Sequence, residues 1–516
     1  MHLFLSRRTI LLTTAAVAAA VRAGFFCCWL TGAFRFFHRV PGLDMETLLR
    51  FSEWGGGCVY SPLFVVHRFL IYLVWLVNGR QHCVEALVIC QSLFGVAGAV
   101  MTADIVLRLW GRRGTALAAG LFYALYGPLV LYDFCILQES VTTTLILAGV
   151  WAFLACRSGR GRPGKCFGAG LLLGLGSVGR PVAAALALFL PGTAFFRSRK
   201  GALCMAAGVF ILWGAAGTFN LVFSRDPSPF FRVLPYTVSY NAEKAPPGAG
   251  PGAAEKRLTL GLPGRAAKFF LAFEMPENLN YYFLRRRLTL LGYLPGPGLL
   301  MPLALAGFLL MTARFRRREG LLLSVIVLLA LPLAAREPIG RYRLHLVPYF
   351  IVCAAYFFRV LRQGRVMTNV LCGGAFALAL FINFAFSTPA FIRASDHTAW
   401  ALALEHAAGG RISPDSLREF AEGWRNSGFT DRSCGVSLVL RFLRAGDLAS
   451  AARVCGEGIS GPAKEKSVYR YYLAVIFTSV RRLDQARREL DAVRPEEIPE
   501  LAPKLRRLRE IVCGKN

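Results

Sequence analysis

The stretch RLWGRRGTALAAGLFYALYGPLVLYDFCILQES, residues 108–140, contains the pattern that decides the fold. Three arginines precede an apolar run long enough to enter a bilayer, and Asp133 and Glu139 stand at its far end. Because Lys and Arg collect on the cytoplasmic side of membrane proteins, this pattern predicts a helix that starts in the cytoplasm and ends at the outer face.

The same alternation of basic clusters and apolar runs recurs along the chain. The 516 residues are 55% hydrophobic, which is more than a soluble core of this length needs. We therefore predict an all-α, polytopic membrane protein with about eleven spans, with the N-terminus in the cytoplasm and the C-terminus outside. The predicted spans are residues 9–31, 84–107, 115–132, 136–156, 166–179, 182–196, 202–222, 298–313, 319–335, 344–361 and 366–388.

The formal net charge of +30 fits this topology better than it fits nucleic-acid binding. Most of the Lys and Arg residues stand in short clusters between apolar runs, where cytoplasmic loops are expected. The 14 cysteines include many within apolar runs, and no pair of CxxC motifs is present. A metal site built from cysteine sulfur is therefore not expected.

The N-terminus allows two interpretations. Arg7 and Arg8 precede an apolar run, as in a twin-arginine or secretory signal. The run continues through Phe25 to Leu30, however, and a chain that inserts repeatedly needs no cleaved export signal. An uncleaved first span is the favoured interpretation.

We predict two domains, a membrane domain over residues 1–390 and a soluble α-helical domain over residues 391–516. The membrane domain has external segments at about 32–83 and 223–297, and the Pro- and Gly-rich part of the second segment predicts a mobile loop. In the soluble domain, Leu448 and Ala451 recur as Leu483 and Ala486, at a spacing close to the ~34 residues of tetratricopeptide helix pairs. An ordinary helical bundle is the alternative.

The cysteines of the soluble domain allow one disulfide if the domain faces an oxidising compartment. We expect the bond between Cys434 and Cys455, which leaves Cys513 over.

The acidic residues at the outer face are candidates for chemistry. Asp44 opens a short amphipathic helix after the first span, where it is either a helix cap or a site residue. Glu46 and Glu53 fall on the solvated face of that helix and are expected to be surface charges. Glu139 lies within apolar sequence, where a charge costs ~2.5–3.5 kcal/mol and usually has a partner or a cavity.

Several cations are expected at the same face. The candidate partners of Glu139 are Arg180, Arg341, Arg343 and His345. An arginine at the mouth of a span can bind a phosphate through two hydrogen bonds. Carboxylates and cations together suit transfer of a sugar from a polyprenyl phosphate, since the acceptor needs a base and the departing phosphate needs positive charge.

The order of these motifs resembles the GT-C membrane glycosyltransferases, close to glycosyltransferase family 39, which includes bacterial protein O-mannosyltransferases and aminoarabinose transferases. The resemblance covers residues 1–390 and rests on LDMETLLRFSEW, YSPLFVVHRFLIYLVWLVNG, the stretch quoted first, GLLLGLGSVGRP and GRYRLHLVPYF. MPENLNYYFLRRR is similar to a bacterial subgroup with soluble repeat tails.

The resemblance implies that Asp44 is the catalytic base and that Glu139 positions the acceptor or binds a metal. It also implies that Arg180, Arg341, Tyr342 and Arg343 bind the lipid phosphate. The further residues assigned to substrate binding are His345, His67, Arg68, Asp133, Tyr240 and Asn241.

Two positions depart from the family pattern. Leu48 replaces an aromatic residue, and Tyr60-Ser61 stands where a lysine is common, a charge for which His67 or Arg68 is a substitute.

The expected activity is an inverting single displacement at the outer face of a bacterial plasma membrane, with a protein, lipid or glycan as acceptor. No dedicated metal cage is evident, so a Mg²⁺ or Mn²⁺ ion would have to use Asp44 or Glu139 together with the donor phosphate. The tail is a candidate protein-binding module. The alternatives are a flippase for a lipid-linked glycan and an inactive family member that assists envelope glycan assembly.

Overall fold

The computed structural model describes residues 6–52, 65–158, 163–195, 198–224, 268–271, 276, 279–336, 340–363, 366–386, 392–462 and 466–514. Every regular element in these ranges is a helix, and none of them is a strand, which confirms the all-α class. The chain divides into two compact units. The membrane unit comprises residues 1–28 and 47–390, and the tail unit comprises residues 29–46 and 391–516.

Sixteen α-helices are described before residue 390. They are α1 (Arg7–Thr31), α2 (Asp44–Ser52), α3 (Val65–Trp110), α4 (Arg113–Leu125), α5 (Gly127–Asp133), α6 (Glu139–Ser158), α7 (Pro163–Gly179), α8 (Ala184–Phe195), α9 (Arg199–Ser224), α10 (Tyr281–Arg287), α11 (Thr289–Tyr293), α12 (Pro297–Ala313), α13 (Arg317–Arg336), α14 (Gly340–Arg343), α15 (Val347–Leu361) and α16 (Val366–Phe386).

Five segments of the described chain are long and apolar enough to cross a membrane, which is typical of a multi-pass membrane protein. They are Arg7–Thr31, Gln81–Trp110, Glu139–Arg157, Arg199–Thr218 and Thr289–Ala313. A sixth is present if α4 and α5, which meet at an angle of 51°, form one span. The helices Phe69–Gly79, Pro181–Phe195, Val347–Leu361 and Thr368–Asn383 are apolar but shorter. The number of eleven spans stays a prediction.

The first of the two segments predicted to be external contains a helix that the hydropathy pattern did not identify. Helical structure continues from Val65 to Trp110, but Gly79 has a φ of 67° and breaks the helix into two parts. The part before the break, Phe69–Gly79, is apolar but much shorter than the ~20 residues of a full crossing. The sequence predicted no helix at Phe69–Gly79 because this apolar segment is too short to cross a bilayer.

Small residues let the helices of the membrane unit approach one another closely. A Cβ atom on Gly170 of α7 would collide with the backbone of Met205 in α9, and one on Gly307 of α12 would collide with the backbone of Cys353 in α15. Helices in membranes associate largely through such close packing, because lipid supplies no hydrophobic drive. These glycines therefore hold the α7–α9 and α12–α15 pairs in contact.

A buried carboxylate connects three helices at the end of the unit that is predicted to face the cytoplasm. Asp104 of α3 is 2% exposed and accepts two hydrogen bonds of 2.9 Å from Arg7 of α1. It also accepts bonds of 2.7 Å from Arg108 and from the indole nitrogen of Trp151 in α6. Both carboxylate oxygens of Asp104 thus have hydrogen-bond donors, as a buried polar group requires.

Seven α-helices are described in the tail unit over residues 392–462 and 466–514. They are α17 (Ala394–Ala407), α18 (Pro414–Asn426), α19 (Arg432–Arg444), α20 (Leu448–Ser460), α21 (Lys466–Ser479), α22 (Leu483–Asp491) and α23 (Ala502–Cys513). Residues 33–39 form a 3₁₀-helix that packs on α17, with the rings of Phe37 and Trp400 5.8 Å apart.

Successive helices of the tail unit are joined by turns that contain left-handed residues. Gly410 (φ 85°), Gly446 (φ 76°) and Arg481 (φ 59°) lie in the turns α17–α18, α19–α20 and α21–α22, and Gly428 (φ 60°) and Phe429 (φ 64°) lie in the turn α18–α19. Ala451 and Ala486, which align at the predicted spacing, are both fully buried. The pairs α19–α20 and α21–α22 are therefore equivalent in turn geometry and in this core position.

Tyr469 of α21 is the central side chain of this core. A Cβ atom on Gly435 of α19 would collide with its hydroxyl, and one on Gly458 of α20 would lie 2.6 Å from its ring. Trp424 of α18 packs on the same ring at 5.5 Å. Two glycines thus create the space that this buried tyrosine fills.

The predicted disulfide between Cys434 and Cys455 is not formed, and both cysteines are free thiols in the buried core. The sulfur of Cys434 faces α18, where it donates to the carbonyl oxygen of Phe420 at 3.3 Å, whereas Cys455 belongs to α20. The sequence spacing of the two cysteines does not determine the directions of their side chains, and the prediction was wrong for that reason.

Candidate functional site

Glu139 and Arg180 form a buried ion pair in the membrane unit. Glu139 is the first residue of α6, and Arg180 directly follows the last residue of α7. The two helices approach closely here, because a Cβ atom on Gly179 would lie 2.7 Å from the methyl group of Thr142. The positive end of the α6 dipole also stabilises the Glu139 carboxylate.

Arg341 and Tyr342 of α14 complete this group. The Arg180 guanidinium lies 4.9 Å from the centre of the Tyr342 ring, and that of Arg341 lies 5.1 Å from it. The Nε atom of Arg341 is 4.0 Å from the Glu139 carboxylate. Two guanidiniums thus share one carboxylate and one aromatic ring, an arrangement that holds both cations in place through charge and cation–π attraction.

His345 lies against the same helix end. Its Nδ1 atom is 2.7 Å from the hydroxyl of Thr143 in α6, and its ring is 1% exposed. Within the part of the chain that the structure describes, its Nε2 atom and the second carboxylate oxygen of Glu139 are buried without a hydrogen-bond partner. Buried polar atoms of this kind are expected to meet a polar ligand, water or a neighbouring group. The cluster of Glu139, Arg180, Arg341, Tyr342 and His345 is hereafter the arginine cluster.

The side chain of Arg343 contacts a different part of the chain from the side chain of Arg341. It donates a hydrogen bond of 2.5 Å to the carbonyl oxygen of Leu271. Leu271 follows the short 3₁₀-helix Lys268–Phe270. The observed contact of Arg343 is therefore with the backbone of the segment 223–297, which is predicted to be external.

Asp133 has a different set of partners from Glu139. It forms a buried ion pair with Arg22 of α1, at 2.7 Å, and accepts a hydrogen bond from the Ser140 hydroxyl. A Cβ atom on Gly95 would collide with this pair. Because Asp133 is enclosed and its charge is compensated, its observed contacts are those of a structural ion pair between α1 and α5.

His67 lies in the first turn of α3 and is fully buried. Its neighbour Val66 lies 3.6 Å from the position of a Cβ atom on Gly179, so this turn is adjacent to the end of α7 that carries Arg180. Among the described residues, neither ring nitrogen of His67 has a hydrogen-bond partner.

The remaining predicted residues are only partly described. Asp44 is the first residue of α2, as the sequence predicts, and Met45 and Leu48 of the apolar face are buried. Asp44 belongs to the tail unit and Glu139 to the membrane unit. Tyr240, Asn241 and the Pro- and Gly-rich loop lie outside the described residues, and so does the side chain of Arg68.

Two groups of polar side chains were not predicted from the sequence. Arg22 was not singled out, although a lone arginine inside an apolar run is a signal that a buried acid lies nearby. A cluster of His397, Glu419 and Glu422 was missed as well, because 22 residues separate the histidine from the first glutamate.

Comparisons with known proteins identify no family. No family model and no curated protein matches the sequence. Among solved structures, the chain is similar to the oligosaccharyltransferase of Archaeoglobus fulgidus, whose crystal structure is a complex with Zn and sulfate, at a TM-score of 0.43 and 12% identity. The match covers 79% of this chain and 57% of that chain.

Proposed function

We propose that this protein is a GT-C type membrane glycosyltransferase that transfers a sugar from a polyprenyl-phosphate donor to an acceptor at the outer face of a bacterial plasma membrane. The observation that supports it is the arginine cluster, in which Arg180 and Arg341 are held beside one carboxylate and one aromatic ring. Fixed guanidiniums bind phosphate oxygens well, because their donors match the geometry of the anion.

The two arginines would act on the leaving group. As the bond between the anomeric carbon and the phosphate oxygen breaks, negative charge grows on the phosphate. Positive groups that are already in place stabilise that charge without reorganisation, and they do so more strongly in a buried site than in water. Glu139 keeps Arg180 oriented, and its second carboxylate oxygen would accept a hydrogen bond from the acceptor.

Asp44 would act as the general base. The acceptor hydroxyl oxygen attacks the anomeric carbon, its proton passes to the Asp44 carboxylate, and polyprenyl phosphate departs from the opposite side. A single displacement of this kind inverts the anomeric centre. His67 and His345 are proposed to contact the sugar-phosphate.

The tail unit would recognise a protein. Its helix pairs recur with equivalent left-handed turns at Gly446 and Arg481, and this supports a tetratricopeptide-like architecture. Such repeats present extended surfaces on which partners bind.

The test is a transfer assay with a matched pair of variants. The protein, its Asp44→Asn variant and its Glu46→Gln variant are supplied with a radiolabelled sugar on polyprenyl phosphate and a membrane extract as the acceptor. We expect the loss of the base to slow transfer by ~10²–10⁴-fold. Glu46, predicted to be a surface charge, is half-buried, and Glu46→Gln keeps the size of its side chain and should leave transfer intact. Equal transfer by the Asp44→Asn variant would remove Asp44 from the mechanism.

Two outcomes would reject the transferase itself. Movement of the donor between the leaflets without its consumption would identify a flippase. A lack of both transfer and movement, together with donor binding that is unchanged by an Arg180→Gln substitution, would favour the assembly role.

A further inference from the structure

His397, Glu419 and Glu422 form a cluster in the first helix pair of the tail unit, far along the chain from the residues of the proposed transferase site. His397 lies in the first turn of α17. Glu419 and Glu422 stand one turn apart on α18, so their side chains leave the same face of that helix.

The two helices are close enough for these groups to converge. A Cβ atom on Gly423 would lie 3.0 Å from the Cβ atom of His397 and 3.1 Å from the carbonyl oxygen of Ala394. A larger residue at position 423 would push α17 away from α18. The glycine next to Glu422 therefore brings His397 within reach of both carboxylates.

The ligand atoms surround a single point. The Nδ1 atom of His397 is 2.8 Å from a carboxylate oxygen of Glu419 and 3.7 Å from one of Glu422. The three atoms lie within 4.8 Å of one another. Ligands at ~2.0–2.2 Å from a tetrahedral zinc ion are about 3.3 Å apart, and the two measured distances bracket that value.

The two carboxylates lie at different distances from Nδ1 of His397. One hydrogen on Nδ1 can be donated to Glu419, but the oxygen of Glu422 at 3.7 Å is beyond hydrogen-bond distance. Two carboxylates that face one ring nitrogen also repel each other. A divalent cation between them would bind all three groups and remove that repulsion.

The other side of the imidazole has the partner that a metal-bound histidine needs. The side-chain amide of Asn426 lies 2.9 Å from Nε2. As placed, the Nδ2 atom of Asn426 donates to Nε2, and the hydrogen of the neutral ring is on Nδ1. Rotation of the amide brings its oxygen to Nε2, so that Nε2–H donates to Asn426 and the lone pair of Nδ1 points at the two carboxylates. Such a second contact fixes the tautomer and orientation of histidine ligands in metal sites.

Burial divides the site into a fixed part and an open part. His397 is 3% exposed and Glu419 is 4% exposed, whereas the side chain of Glu422 is 36% exposed. An ion could enter on the side of Glu422, and water could fill the remaining coordination position. One imidazole and two carboxylates suit Zn²⁺ and other first-row transition ions better than Mg²⁺ or Ca²⁺, which prefer oxygen ligands alone.

We propose that His397, Glu419 and Glu422 bind one divalent transition-metal ion of the zinc class through Nδ1 and two carboxylate oxygens. The ion joins α17 to α18 and stabilises the first helix pair. This proposal is independent of the transferase reaction, since none of its residues is assigned a role there.

The test is zinc binding by the full-length protein in detergent, without a histidine tag and after treatment with EDTA. Because Cys27, Cys28 and Cys513 are exposed and their thiols can also bind zinc, the parent and every variant carry Cys27→Ser, Cys28→Ser and Cys513→Ser. Glu422→Gln removes one ligand and leaves the contact between His397 and Glu419 in place. Asp415→Asn, which changes an exposed acid in the first turn of the same helix, is the matched control.

We expect the parent and the Asp415→Asn control to bind one zinc ion per chain and the Glu422→Gln variant to bind it at least about 10-fold more weakly. Zinc should raise the thermal unfolding midpoint of the parent and of the control by several degrees, because an ion that binds only the folded chain stabilises it. The shift should be lost in Glu422→Gln. Equal zinc affinity in all three proteins, or no binding in the parent, would overturn the proposal.

Discussion

The Glu139 carboxylate is buried against the Arg180 guanidinium, where the end of α7 meets the start of α6. Each charge is tolerated in the membrane unit because the other is present. Arg180 also stacks on Tyr342, so the ion pair and the aromatic ring act as one group. Removal of either partner should therefore disturb more than one contact.

A double-mutant cycle on this pair should show strong coupling. Glu139→Gln leaves Arg180 buried with a weaker partner, and we expect a loss of ~3–5 kcal/mol of stability. The double variant Glu139→Gln/Arg180→Gln should lose much less than the sum of the two single variants, because no uncompensated charge is left. Unfolding midpoints in detergent would measure this. Additive losses would show that the two side chains do not interact.

Two glycines of α20 should differ in how their replacement by alanine changes the stability of the tail unit. Gly458→Ala places a methyl group against the ring of Tyr469 and should cost ~1–3 kcal/mol through overpacking. Gly456→Ala, two residues earlier, meets nothing within 4 Å and should stabilise α20 by ~0.5–1 kcal/mol. Pulse proteolysis of the full-length protein in urea would give both values. Similar effects of the two substitutions would contradict the packing described for Tyr469.

Replacement of Arg481 by glycine should increase the stability of the tail unit. Its φ of 59° places a residue that carries a Cβ atom in the left-handed region, which costs a non-glycine residue ~1–2 kcal/mol. Arg481→Gly should raise stability by ~0.5–1 kcal/mol, since the added freedom of glycine in the unfolded chain offsets part of the gain. Arg487→Gly, at an exposed position within α22, should instead lower it by ~1 kcal/mol. Pulse proteolysis in urea would measure both changes. Destabilisation by both substitutions would show that the backbone of Arg481 is not strained in this turn.

The thiols of the tail unit should differ in reactivity and should make its stability depend on pH. Burial raises the pKa of Cys434 from 9.0 to about 11 and that of Cys455 from 9.0 to about 12, whereas Cys513 is exposed. At pH 8 a thiol reagent should modify Cys513 and leave the other two unmodified until the unit unfolds.

The sign of the pH effect follows from the direction of these pKa shifts. The folded unit holds the two protons more tightly than the unfolded chain does, so the unfolded chain releases them first as the pH rises. Stability should be constant with respect to these groups below pH 9 and should fall between pH 9 and about pH 12. A Cys455→Ala variant should show a shallower decline in its urea midpoint. An identical decline in the variant would assign the effect to other groups.

The helices of the membrane unit could be predicted from the sequence because apolar runs and helix formation coincide in a bilayer. The predicted span 202–222 lies within α9, and the predicted start of a helix at Asp44 is also observed. Hydropathy could not reveal the break at Gly79 or the angle between α4 and α5, since both depend on backbone geometry rather than on polarity.

The candidate site was predictable where a buried charge required a partner. Glu139 lay in apolar sequence, and Arg180 and Arg341 were among its few candidate cations. The direction of Arg343 toward Leu271 was not predictable, because the hydrogen bond goes to a backbone oxygen that any residue would offer. The convergence of His397 with two glutamates depends on the close approach at Gly423, which no linear motif encodes.

The ion pair between Arg22 and Asp133 also has a consequence for biogenesis, because its members are 111 positions apart. At a synthesis rate of ~5–20 residues per second, about 5–20 s pass between the emergence of the two side chains. During that interval the first helix holds an arginine whose charge no acid has yet neutralised. We expect a nascent chain arrested before residue 133 to leave α1 readily extractable from the membrane, and one arrested after α6 to retain it.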